Sequence, residues 1–334
     1  MTARGRRGGH SILAGAMLAG WLATAPTGIA QAQDFPTHPM TIVVPFTTGG
    51  STEIMARILG QGLEERLGKP VVVESKPGAG TVIGSTYVAK SAPDGYTMLM
   101  ATPAPIAINV TVHKALPYNP VTDFVPLAMV AQSPFVLVVN NDLPVKSVSE
   151  LIAYAKANPG KLTFGSGGPG SPHHLFAELF ASMTGIKMTH VPYKGSLPAA
   201  SDVLAGHINL VFVDVPPVAG MIAGGKVRAL AVTPSKRIGT LPNVPTLDES
   251  GVKGYDAAAW FMVVGPSKIP QPIVDRLHGA FQSTLAAPQT REQIAKLGLQ
   301  PMNTPSIAEM RTFVKSEIDR WGKVAREAGI AGTQ

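Results

Sequence analysis

The sequence predicts an α/β fold in two lobes with a ligand cleft between them. Short β-rich runs alternate with helical stretches along the chain, the signature of an α/β sheet, here read as largely parallel. Glycine- and serine-rich loops sit where strands give way to helices. Two long β-rich stretches, 127–140 and 257–265, are suited to carry the chain from one lobe to the other and back. The resulting division is lobe 1 from residues 34–130 plus 258–334, and lobe 2 from 131–257. Two crossings permit a hinge, leave few contacts between lobes without ligand, and place a site at the domain interface.

The first 32 residues stand apart. Arg4, Arg6 and Arg7 precede an uncharged, mostly apolar stretch, 11–25, and then Ala30-Gln31-Ala32. A basic head, a short apolar segment and an A-x-A exit define a secretory signal peptide, 1–32, with the mature chain starting near Gln33. Neither that stretch nor any later one reaches the roughly 20 apolar residues that span a bilayer. The roughly 300 residues that follow suffice to bury a sizeable core.

With no cysteine among 334 residues, disulfides, thiolate metal sites, a lipoprotein anchor and a cysteine nucleophile are excluded. The formal charge of +7 falls to +4 once the three leader arginines are set aside. Lysines and arginines form no run and no aromatic residues interleave them, so no nucleic-acid partner is expected. A mildly basic surface suits an anionic ligand.

Strands are predicted at 41–44, 71–74, 97–101, 135–140, 161–164, 187–191, 209–213 and 228–232. Helix starts are marked by capping-box pairs: Ser147 with Glu150, Thr246 with Glu249, and Ser306 with Glu309. The helix after Ser147 should end at Asn158-Pro159-Gly160. In the last helix Ile307, Met310, Val314, Ile318, Trp321 and Ala325 recur at three or four, marking its core face.

Three loops carry the chemistry: residues 45–52, residues 165–171, and Tyr193-Lys194-Gly195-Ser196. Each follows a strand and opens a helix. The first turn of a helix presents free N–H groups and the positive end of the dipole, glycine admits close approach, and hydroxyls add donors. Such loops cradle carboxylates or phosphates, and ligands in open α/β sheets bind beyond the C-terminal strand ends.

Gly165, Gly167 and Gly170 match G-x-G-x-x-G, but no acid follows about 20 residues on, so no dinucleotide cofactor is expected. His173-His174 are adjacent, not four apart, and no H-E-x-x-H exists, so no metal is expected. G-x-S-x-G is absent. No nucleophile, base and orienting group assemble into a catalytic set, which leaves an exported α/β hydrolase acting on a small acid or ester as the alternative.

A series of motifs gives the chain a family. Ile42-Val43-Val44-Pro45-Phe46 with Gly49-Gly50 is followed by Val71-Val72-Val73-Glu74 and Lys76-Pro77-Gly78-Ala79-Gly80. Ala92-Pro93-Asp94-Gly95-Tyr96-Thr97 and Leu116-Pro117-Tyr118 come next, then Ala155-Lys156-Ala157-Asn158-Pro159-Gly160-Lys161. His190-Val191-Pro192-Tyr193-Lys194-Gly195 and Leu241-Pro242-Asn243-Val244-Pro245-Thr246 complete the series. In these motifs, over nearly all of the mature sequence, the chain resembles the Bug receptors, periplasmic solute-binding proteins of tripartite tricarboxylate transporters.

The resemblance implies a two-lobed type II periplasmic-binding-protein fold and a monomeric, non-catalytic receptor without cofactor. Such a receptor takes a di- or tricarboxylate, aromatic acid or amino acid to integral-membrane transporter subunits. It implies that one ligand carboxylate is held by the first loop, here Phe46, Thr47, Thr48, Gly49, Gly50, Ser51 and Thr52. The other polar end is met by Ser166, Gly167, Gly168, Gly170 and Ser171. Thr102, His174, Tyr193, Asp214 and Trp260 fall where the family lines its cleft. Two departures bear on the ligand. Glu53 stands where many members carry Asp; it either stabilises its own helix or faces the cleft and favours a cation-bearing ligand. Pro169 removes one N–H donor from the second loop.

Overall fold

The computed structural model describes residues 35–46, 48–193 and 195–334. The expected signal peptide and its cleavage point lie outside the described residues, as do Thr47 and Lys194. In chain order the elements are β1 (Met40–Val44), α1 (Ser51–Leu67), β2 (Val71–Ser75), α2 (Val82–Ala89) and β3 (Thr97–Ala101). A helical segment, 104–112, ends in α3 (Asn109–Val112). Then come β4 (Phe124–Val139), α4 (Val148–Ala157), β5 (Thr163–Ser166), α5 (Pro172–Thr184), β6 (Thr189–Pro192), α6 (Ser196–Ala205), β7 (Leu210–Asp214) and α7 (Val215–Ala223). The chain closes with β8 (Arg228–Val232), β9 (Ala258–Pro266), α8 (Gln271–Ala286), α9 (Pro288–Lys296), β10 (Gln300–Pro301) and α10 (Ile307–Glu327). No helix among the described residues is long and apolar enough to cross a membrane.

The strands run in the order β2-β1-β3-β9-β4-β7-β5-β6, with β8 and β10 also on β4. Parallel pairing holds for β1 with β2 and β3, and for β5 with β6 and β7. The centre is antiparallel, which corrects the largely parallel expectation: β9 runs against β3 and β4, and β4 runs against β7 and β8. The reason is topological. The first half, β2-β1-β3-β9-β4, and the second half, β6-β5-β7-β4-β8, each admit one strand entering from the other.

β4 is the shared strand. Its Phe124–Pro134 portion pairs with β9, ending at Pro134 opposite Ala258, and from Phe135 onward it pairs with β7 and β8. Proline has no N–H to give to a ladder, so Pro134 is a natural place to change partners. The next residue is fastened at once: the Phe135 N–H donates to Thr233 Oγ1 at 3.1 Å, and its carbonyl accepts the Thr233 N–H at 2.9 Å.

Two core clusters are local to one half. Met55, Leu59, Leu277 and Phe281 bring α1 and α8 onto the first half, and Ala199, Val203 and Val218 bring α6 and α7 onto the second. The third cluster is continuous across both. Leu99, Ala101 and Ile108 join Phe164, Phe176 and Trp321 in one buried group, with the Phe176 and Trp321 rings stacked at 5.2 Å. The expectation of few contacts between lobes is therefore corrected. The segment 104–112, α5 and α10 weld one side of the two halves together.

The expected caps form at both ends of the second half's first helix. Ser147 Oγ accepts the Glu150 N–H at 3.2 Å, and α4 stops at Asn158. Thr246 and Glu249 also make their reciprocal bonds, both 2.9 Å, yet residues 247–251 form only turns. Gly251 at φ +99° turns the chain away before a helix propagates.

α10 carries a complete capping box at Ser306 and Glu309. Its buried face holds Met310, Val314, Trp321 and Ala325 as predicted, and also Glu317, which periodicity of apolar residues does not reveal. Glu317 Oε2 accepts the indole N–H of Trp260 at 2.7 Å and of Trp321 at 2.8 Å. One acid thereby satisfies two buried donors from β9 and α10. Replacing it with alanine leaves both N–H groups unpaired, at about 1–3 kcal/mol each for an orphaned buried donor. We expect Glu317→Ala to lower unfolding free energy in urea by roughly 2–4 kcal/mol, and Glu317→Gln, which keeps an acceptor, to lose clearly less.

Candidate functional site

The predicted loops lie at the C-terminal ends of β1, β5 and β6, and the loop after β7 joins them, with Asp214 as N-cap of α7. Thr102 follows the end of β3 and is nearly buried.

In the first loop Thr48, Gly49, Gly50 and Ser51 are exposed, Thr52 is buried, and Phe46 packs partly into the first-half core. Gly50 caps α1 in extended backbone at φ −85°, and no side chain bonds into the turn. The carbonyl of Gly50 accepts the N–H of Glu53 and of Ile54. The N–H groups of Ser51 and Thr52 belong to the first turn, where a helix supplies no acceptor of its own. A side-chain carbon built at Gly49 or Gly50 would meet nothing within 4 Å.

Glu53 turns back onto its own loop. Its Oε2 accepts the Gly49 N–H at 2.6 Å, and Oε1 accepts from Arg57, with Nε at 3.0 Å. The Gly49 N–H first, and Arg57 second, hold this carboxyl below the usual carboxylate range. The acid clamps the loop, and the Gly49 N–H that the sequence assigned to the ligand is already committed.

The second loop is a dense web. Ser166 Oγ receives the Gly168 N–H at 3.0 Å and lies 2.6 Å from His190 Nε2. Ser171, N-cap of α5, donates to the Gly168 carbonyl at 2.7 Å and accepts the His174 N–H at 3.4 Å. Gly170 donates to His174 Nδ1 at 3.2 Å, which fixes that nitrogen as an acceptor and leaves Nε2 toward Glu178 at 3.4 Å. The rings of His174 and His190 stack at 3.8 Å. A carbon built at Gly167 would stand 3.2 Å from His173 Nδ1 and 3.6 Å from the Gly195 backbone, so the second and third loops touch. One built at Gly170 would stand 3.4 Å from Val112, bringing this loop against the first half.

Asp214 closes the web, with His173 Nε2 at 3.3 Å. Burial works against its charge, but the His173 imidazole, with Ser196 and its own backbone, keeps the carboxyl below its ordinary range. Sequence reasoning missed His173, because a pairing with an acid 41 residues on leaves no local signal.

Two of the expected residues turn their polar atoms elsewhere. The Tyr193 hydroxyl donates to Asp202 at 2.6 Å within its own half, and burial followed by that carboxylate pushes the phenol up to about 12. Trp260 is almost wholly buried, with its N–H on Glu317 and its ring against Phe313. Ser166 and His190 have the spacing of a nucleophile and its base, but Ser166 has no exposed surface.

Burial, and then the charge of His174, push His190 down to about 4 from 6.5. Its folded form therefore resists protonation while the unfolded chain takes a proton below 6.5, so unfolded protein binds more protons between those values. Stability should fall as pH drops from 6.5 to about 4 and then level off with respect to this group. Urea unfolding across that range checks this, and His190→Phe, which keeps the stacking, should flatten the slope.

The family profile described as "Tripartite tricarboxylate transporter family receptor" matches residues 55–330. The protein BugT of Bordetella pertussis is 40% identical over 310 residues, covering 91% of this chain and 94% of its own. Among solved structures, Rpa4515 of R. palustris, described with adipate, superposes with a TM-score of 0.79 at 40% identity, covering 89% of this chain and 99% of its own. The periplasmic binding protein BugD gives 0.76 at 34%, over 89% of this chain and 99% of its own. MatC of Rhodopseudomonas palustris, with bound malate, gives 0.74 at 29%, over 87% and 99%. The fold is that of the periplasmic solute-binding proteins, and the chain belongs to the tripartite tricarboxylate transporter receptor family, whose members bind solutes and are not enzymes.

Proposed function

We propose that this chain is a periplasmic receptor, exported by the signal peptide 1–32, that holds a small organic carboxylate between two lobes and carries it to its transporter's membrane subunits. The lobes are residues 34–130 with 258–334, and residues 131–257; the receptor acts as a monomer and binds no nucleic acid. The observation that carries the reading is the first turn of α1. Ser51 and Thr52 offer N–H groups beside the uncapped Gly50, while the neighbouring acid is tied to Gly49 and Arg57. Desolvating a carboxylate is costly, and aligned donors at a helix N-terminus offset that cost without a cation. The adipate and malate bound by two relatives support the ligand class.

The far end of the ligand faces the second loop, residues 166–171, whose hydrogen bonds hold it in place. Ser171 is already engaged on both sides, so its contribution is mainly to hold the loop. Because one core cluster runs through both halves, closure is a small rotation about β4 and β9.

The test uses Gly50. Its φ is ordinary for any residue and a side chain there meets no protein atom, so Gly50→Val should fold as the wild type does. It should nonetheless block the approach to Ser51 and Thr52. In a thermal-shift series with adipate and malate as probes, we expect the wild type to be stabilised as RT ln(1 + [L]/Kd) requires and Gly50→Val to lose the shift. Stabilisation of the wild type by the diamide of adipic acid as strongly as by adipate would refute the carboxylate cradle.

A further inference from the structure

A cavity of about 110 Å³ opens in the first half, apart from the glycine-rich loops. It sits where β4 begins and β9 ends. Phe124 pairs there with Pro266 and Pro126 with Val264, at the opposite end of the ladder from Pro134 and Ala258. Phe124, Pro126 and Val264 line it, with Ile106 from the segment 104–112 and Val314 from α10. No residue of the three loops reaches it.

The walls are carbon. Ile106, Phe124, Val264 and Val314 belong to the large core cluster and are between 1% and 7% exposed. Pro126 has no N–H to offer, and neither has Pro120 beside it. Water in such a cavity finds few of the polar partners it needs, whereas an apolar group fills it at a gain. The space equals roughly three or four molecules of liquid water, which suits an aliphatic tail of about four carbons.

Two cations stand on the open side. Arg311 and Lys315 line the cavity from exposed positions one turn apart on α10. Like charges at that spacing cost a helix stability. Elsewhere α10 answers its cations: Arg320 lies 3.6 Å from Glu317, and Lys323 3.8 Å from Glu327. Among the described residues no carboxylate pairs with Arg311 or Lys315, Asp319 one turn further on included. A carbon-lined cavity ending in two unanswered charges is complementary to an anion with an apolar tail.

We propose that this cavity is a second ligand site, for a short-chain aliphatic monocarboxylate, with the tail against Ile106, Phe124 and Val314 and the carboxylate at Arg311 and Lys315. The single charge stays at the rim, where water and both cations reach it. A dicarboxylate such as adipate has to bury its second charge against carbon, which is costly, so the cavity selects against the acids that suit a cradle polar at both ends. The inference rests on the cavity and its two cations, not on the carboxylate cradle at α1.

Hexanoate is the probe. In a thermal-shift series it should raise the melting temperature of the wild type and also of Gly50→Val, since Gly50 has no part in the cavity. The double variant Arg311→Gln with Lys315→Gln changes two exposed residues, so it should melt near the wild type without ligand. Its hexanoate Kd should rise roughly tenfold, the effect of losing two part-exposed ion pairs. Hexan-1-ol, which has the same tail and no charge, should stabilise the wild type less. Methyl NMR locates the probe: the Ile106 δ-methyl resonance should move as hexanoate is added, and move less in the double variant at equal concentration. The proposal is overturned if hexanoate leaves the wild type unshifted, if Gly50→Val abolishes the shift, or if the Ile106 signal stays in place. Undiminished binding by the double variant, or equal stabilisation by the alcohol, removes the cations from the site and overturns it as well.

Discussion

The antiparallel pairing of β4 with β9 is the constraint on which the rest depends. Each half-sheet has a strand running against its parallel set, β9 beside β3 in the first and β4 beside β7 in the second, and β4 continues through both halves. The halves are therefore joined through β4 in one continuous order of strands. Cutting β4 at Pro134 would remove the fifth strand of one and the antiparallel strand of the other. The binding loops inherit their positions from this arrangement, because the parallel strands of both halves end at the loops that join them to their helices.

The proposed carboxylate site would work with backbone where many anion sites use arginine. Arg57, the cation tied into the first loop, is spent on Glu53, and Glu53 is spent on Gly49. The pair stiffens the loop while removing its net charge, which leaves the helix N-terminus as the local source of positive potential. The second loop follows the same logic with neutral groups. His174 accepts from Gly170, Ser171 holds Gly168, and Ser166 holds Gly168 from the other side. Both loops are preorganised by their own side chains, so little ordering entropy remains to oppose ligand capture.

Much of this was legible in the sequence, and the failures have physical causes. Seven of the strands are legible as short β-rich runs alternating with helical stretches. β4 was recognised only in its later part as a strand, because Pro126 and Pro134 interrupt the pattern where the ladder shifts and changes partner. Capping chemistry located α4 and α10 to the residue, but the same chemistry at Thr246 led to turns, since a local cap cannot overrule a left-handed glycine five residues on. The loops were found because glycine, serine and strand ends are local features. What their side chains do was not legible: Glu53 could face either way, and Trp260 was assigned to the site although an acid 57 residues later claims its N–H. Contacts at that separation leave no trace in a single sequence.

The fused core is compatible with the closure proposed above. The continuous cluster of Leu99, Phe164, Phe176 and Trp321 joins the halves through α5, α10 and the segment 104–112, while the two remaining clusters belong to one half each. A rotation that preserves the shared cluster must pivot close to it and to β4 and β9. Displacement then grows with distance from the pivot, so the outermost strands and the helices that follow them move most. In a molecule built this way the loops can be rigid and the core intact, and the proposed closure would change the distance between β2 and β6 more than any distance near the pivot.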